Sequence, residues 1–232
     1  MKYEPIDGGF KKLKSDLAAM SFKDKLHHLW TYYKGALVVL VILIAICSIV
    51  TSSCRARNTV THLAGISLNI NLTEEGQNYV RDGFFAKVSQ GGLEKVSYSE
   101  VHQDPFTNTA TLEESYMGLM SLLALATTQD LDYMLMDKVA LTNMLPHNIY
   151  MDLRNFFTEA ELEALGDKVV WMEMGDEETG YILTPVSVDI SDTEFAKTAT
   201  KYGGTVYFSV VVNTPRLDTV RDFWAYLHAW GA

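Results

Sequence analysis

Apolar positions along the chain fall into three regimes. From Gly35 to Ser53 no residue is charged, and residues 36–50 read ALVVLVILIAICSIV, broken only by Ser48. With Tyr32, Tyr33 and Thr51 the stretch reaches about 20 residues, roughly 30 Å as a helix, enough for the hydrocarbon core of a bilayer. Trp30, Tyr32 and Tyr33 stand at one end, where aromatic rings favour the headgroup layer. A buried core helix is the competing reading, but such helices keep a polar face over this length. The pattern predicts one transmembrane helix over 35–53.

Before the span, Phe22, Leu26, Leu29/Trp30 and Tyr33 recur at helical spacing behind a capping-box pattern, Ser21 to Asp24. Lysines with His27 and His28 occupy the other side. This predicts an amphipathic stub over 1–34, whose lysines attract anionic lipid at about 1 kcal/mol each. Adjacent histidines do not share a helix face, so they make no metal pair.

After a linker over 54–59 the period changes. Val60 to Leu72 alternates as a half-buried strand. Thr73 caps a helix to about Lys87, and Val96 and Tyr98 mark a weaker strand. Thr111 to Glu114 forms a capping box for a helix to about Ala126, apolar nearly all round and therefore expected at the centre. Leu131–Met136 is a short strand. Thr158 and Glu161 cap a helix that Gly166 ends. Strands 169–174 and 181–188 follow, joined by the acidic turn 175–180. Ser191 and Glu194 make another capping box. Val206 to Val212 is nearly continuous and β-branched, as in a strand covered on both faces. Thr214 and Pro215 open the last helix, with Pro at its first position. Strands alternating with helices predict an α/β domain over 60–232 with a largely parallel sheet. Leu122, Leu123, Phe208, Val210 and Trp224 are expected to be buried together.

Charge sharpens the organisation. Residues 1–34 hold seven Lys against four acids, Arg55 and Arg57 follow the span, and 58–232 carries a net of −15 within a total of −10. The positive-inside rule places the N-terminus in the cytoplasm and the acidic domain outside the cell membrane, and the lysines outnumber the two opposing arginines. The acidic balance excludes a nucleic-acid partner, which would need clustered Lys and Arg. The two cysteines cannot readily bridge: Cys47 lies in the span and Cys54 just after it. Thr51-Ser52-Ser53-Cys54 has a small residue before Cys, as a lipobox does, but Thr51 stands where an aliphatic residue is usual.

The order of elements resembles the bacterial extracellular solute-binding proteins, of periplasmic-binding-protein-like class II fold. Thr127 to Asp137 looks like that family's "G-x-x-P-D-v-v" strand. Tyr150-Met151-Asp152-Leu153 is similar to its "l-x-d-L" segment, and residues 176–185 (DEETGYILTP) to its "d-G-k-x-Y-x-l-P" hairpin. Tyr202 to Leu227 resembles its late strand-and-helix block. The juxtamembrane run Phe22 to Lys34 also resembles a group of single-span membrane proteins of Clostridia-type Firmicutes, with their "F-K-x-K-x-x-x-x-W-x-Y-Y-K" pattern. The resemblance implies a single lobe, because about 170 external residues leave no room for the second lobe that encloses a ligand.

Candidate chemistry is sparse. His62, His102 and His147 stand alone, His228 suits a helix C-terminus, and Asp176-Glu177-Glu178 is most simply a solvated turn. No nucleophile–base, zinc or phosphate-loop motif is present. The chain is therefore expected to be no enzyme and to need no cofactor or metal. Two readings stand: a membrane-anchored binding or interaction module, and a solute-capture component serving a transporter. For either, a ligand or partner rim is expected at the C-terminal ends of the parallel strands, with Asp132 and Asp137 beside one strand and Asn213 after another. The expected partners are the bilayer, through 35–53, and a protein or a second copy at that rim; a small-molecule ligand stays open.

Overall fold

In the computed structural model residues 22–101, 109–176 and 180–231 are described. The chain divides into two units, Met1–Asn58 and Thr59–Ala232. The capping-box pattern at Ser21, His102 and the centre of the acidic turn lie outside the described residues, and so do the side chains of the box at Thr111 to Glu114.

Among the described residues the first unit contains one helix, α1, Phe22–Asn58. It continues through 54–58, which the sequence reading sets aside as linker, so Thr59 alone separates it from the first strand. Its large aliphatic side chains between Val38 and Val50 are 51% to 65% exposed, on every face of the helix. Thr51 donates its hydroxyl to the Cys47 carbonyl at 2.7 Å, so even this polar group is satisfied within the helix. Among the described residues no helix is long and apolar enough to cross a membrane. The described side chains within the apolar run are Gly35 and residues 38–54.

The second unit is α/β, with a six-stranded mixed sheet flanked by helices. Its strands are β1 Val60–Leu68, β2 Glu94–Val101, β3 Tyr133–Met136, β4 Val169–Asp176, β5 Gly180–Asp189 and β6 Tyr207–Val210, in the order β2-β1-β3-β6-β5-β4. Only β1–β2 and β1–β3 pair in parallel; β3–β6, β6–β5 and β5–β4 are antiparallel. The largely parallel sheet expected from the sequence is thus corrected. Of the expected run Val206 to Val212, residues 206–211 are mostly buried while Val212 is half exposed beyond the end of β6, and burial on both faces does not fix a strand's direction.

Helices cover the two faces separately. On one face, Leu63, Tyr133, Leu135, Val188, Phe208 and Val210 pack under α2 and α6. Helix α2 comprises Glu74–Asn78, a π turn Tyr79–Gly83 and Phe84–Val88; α6 is Leu217–His228. On the other face, Ile66, Leu68, Met134, Met136 and Val186 pack under α3, Thr109–Thr127, and α4, Lys138–Met144. Two expectations are corrected here. Leu122 and Leu123 sit on the opposite face from Phe208, Val210 and Trp224. Helix α3 is not central, because Tyr116 and Met117 on its outer side are exposed.

Capping explains where the helices begin. The Thr73 hydroxyl accepts from the Gly76 N–H at 3.1 Å, and Thr158 and Glu161 form a full capping box for α5, Glu159–Leu165. The Ser191 box does not form: its hydroxyl donates to Asp189 and accepts from the Val206 N–H, while Thr193 caps the π turn Phe195–Ala199. Pro215 precedes rather than opens α6, because Thr214 is held by Asp132 and accepts from the Arg216 N–H. Gly65 is required by packing: a Cβ there would lie 2.0 Å from the Tyr133 ring that crosses it.

Candidate functional site

The expected rim residues separate to opposite ends of the sheet. Strands β1, β3 and β5 begin at the end where the chain enters from Thr59, and the antiparallel β6 finishes there. Asp132 and Asn213 lie at this end, and Asp137 lies at the other. The shared rim therefore does not exist as expected, because β6 runs against β3.

Asp132 is fully buried and completely engaged. Its carboxylate accepts from the Ala64 N–H at 2.7 Å, from the Thr214 hydroxyl, and from Arg216 Nε at 2.8 and 3.0 Å. Arg216 Nη2 continues to the Gln129 carbonyl at 2.8 Å. The cluster ties β1, the start of β3 and the approach to α6 together. Asn213 donates to the Ala126 carbonyl at 2.6 Å and so holds the end of α3.

Asp137 lies where the connections from β1 and β3 depart to opposite faces, a position at which α/β sheets often bind ligands. Here it is occupied by the protein itself. The carboxylate caps α4 through the Ala140 N–H at 2.7 Å and accepts from Asn69 Nδ2 at 3.2 Å. Tyr202 also bonds to it, and its hydroxyl pKa is pushed up by burial first and by this carboxylate second. Nearby, Glu100 accepts from the Leu72 N–H at 2.8 Å and Gln77 Nε2 at 3.0 Å. It borders a small polar cavity of about 200 Å³ with Arg81 and Tyr98. Arg81 is turned to Asp82, and that hydrogen-bonded pairing holds the Asp82 carboxyl below its ordinary value.

A larger apolar surface lies elsewhere, at the β4 edge of the sheet. Strand β4 pairs with β5 on one side, and no described strand lies on the other. Beside it runs a groove of about 510 Å³ between α5 and β4, floored by Phe157, Leu162, Val169 and Trp171, with Arg154, Glu159 and Glu163 on its walls. Arg154 grips Asp152 through both carboxylate oxygens, with Nε donating to Oδ1 and Nη2 to Oδ2. Burial is the largest single influence on that carboxylate and raises its pKa, but hydrogen bonds from the Arg154 guanidinium and backbone N–H, with the guanidinium's charge, together hold it below its ordinary value. The hairpin extends the apolar surface. Strand β5 pairs with β6 only at Val188 and Asp189, so its outer half leans on β4 alone. There Tyr181, Ile182 and Leu183 are 61%, 62% and 57% exposed.

Sequence reasoning missed this surface. Its signal was present: three consecutive large apolar residues in a strand leave one face or both uncovered unless a partner covers them. Among the described residues no three His, Cys, Asp or Glu side chains converge as metal ligands. Comparison of the chain with family models, curated proteins and solved structures gives no match.

Proposed function

We propose that this chain is a membrane-anchored, extracytoplasmic binding or interaction module of solute-binding-protein-like fold, reduced to one lobe and without catalytic chemistry. The observation that carries the anchor is the sleeve of exposed aliphatic side chains around α1. Such a surface is stable in hydrocarbon and costly in water. In sequence the uncharged run covers 35–53, of which only the side chains of 36 and 37 lie outside the description, and it is wholly inside one helix. The lysine-rich stub sets the N-terminus in the cytoplasm.

The interaction reading rests on the second unit. Its buried carboxylates are used up in holding the fold, while its open surface is an apolar edge groove. Protease added to intact protoplasts should remove the region beyond Thr59 and spare 1–34; protection of the external unit would reject the topology. Solute capture for a transporter is the competing reading, and titration calorimetry separates the two. The full chain in detergent micelles, titrated with sugars and free amino acids, should show no sub-micromolar binding. A tighter solute, worth more than about 8 kcal/mol, would decide for capture.

A further inference from the structure

We propose that the β4 edge and its groove bind an extended, cationic segment of another protein, which adds as a strand beside β4 and sets a bulky apolar side chain against Trp171. The inference rests on the interaction-module reading and names its partner class. Three observations converge. Strand β4 is an open edge, so its outward backbone N–H and C=O groups can pair with a peptide. The groove beside it is concave and apolar, of a size suited to one or two large side chains. Finally, the unpaired charges in and beside it are of one sign. Glu159, Glu163 and Glu173 are exposed, and among the described residues none of them has an ion pair. Glu173 stands on the same face as Trp171, two residues along the strand, while the one cation of the groove, Arg154, is already held by Asp152.

Those carboxylates also choose between occupants. A second copy pairing edge to edge would bring its own Glu173 near this one, and like charges across a strand pair are destabilising. An anionic lipid surface meets the same repulsion. A strand that carries Lys or Arg two residues before and after a large apolar residue presents all three on one face, with the apolar side chain in the groove and the cations toward Glu159, Glu163 and Glu173.

The test uses the full chain in detergent micelles. The probes are two octapeptide pools: Lys two residues before and two after a central Val, Leu, Ile, Phe or Trp, with Ser and Thr between them so that all three share one face, and the same design with Glu in place of Lys. Only the Lys pool should bind, and hydrogen exchange should slow at the amides of 170–175. Glu159→Lys with Glu163→Lys should weaken binding at least tenfold, as should Trp171→Ala. The remote change Glu75→Lys should leave binding unaltered, and thermal unfolding should show all variants folded. Equal binding of both pools, no binding, or binding indifferent to the groove variants would overturn the proposal. So would a dimer of the free protein with 170–175 already protected. The topology and solute tests above are independent of this result, so a failed groove and a failed interaction module are told apart.

Discussion

Replacing Asp132 by alanine should destabilise the second unit by about 3–5 kcal/mol, the usual cost of removing one partner from a buried ion pair. The change leaves the Ala64 N–H, the Thr214 hydroxyl and the Arg216 guanidinium without their acceptor. Arg216 has only 19% of its side chain exposed and cannot fully recover its hydration. Since typical domains are stable by about 5–15 kcal/mol, the loss is a large fraction of the whole. Asp132→Asn keeps an acceptor of the same shape and should cost less. Urea unfolding of the full chain in micelles, followed by tryptophan fluorescence, measures both. A loss below about 1 kcal/mol for Asp132→Ala would show that the cluster does not hold the fold.

Phe208→Ala should cost a similar amount, about 3–5 kcal/mol, for a different reason. Phe208 is fully buried on a central strand. Its ring centroid lies 5.8 Å from Tyr133 and 5.0 Å from Trp224. Truncation leaves a cavity between strands β3, β5 and β6 and helix α6 that backbone so constrained cannot close. Unfolding by heat, read by near-ultraviolet circular dichroism, should show a lowered midpoint. An unchanged midpoint would mean that this ring is not part of the core.

Local features were legible in the sequence because local chemistry produces them. Thr73 and Thr158 cap their helices because a hydroxyl beside a run of free N–H groups has an immediate partner. The hairpin over 169–189 showed itself through apolar runs on both sides of a Gly-bounded acidic turn. Direction was not legible: the run Val206 to Val212 looks the same whichever way its neighbours point. That single ambiguity moved Asn213 from the end of the sheet near Asp137 to the end near Asp132. The role of Asp132 was equally hidden, since its cation lies 84 positions later in the chain. The edge groove escaped because a strand becomes an edge only through the order of all the strands.

That order has a consequence in time. The hairpin of β4 and β5 joins the three parallel strands only through β6, the last strand to be synthesised. Until residues 207–210 exist, the sheet is two separate pieces, each with an apolar side uncovered. About 150 residues lie between the end of α1 and β6, so at about 5–20 residues per second the ribosome needs roughly 8–30 s to make the strand that unites them. On the topology proposed above, the second unit would cross the bilayer as an unfolded chain and close around β6 on the far side.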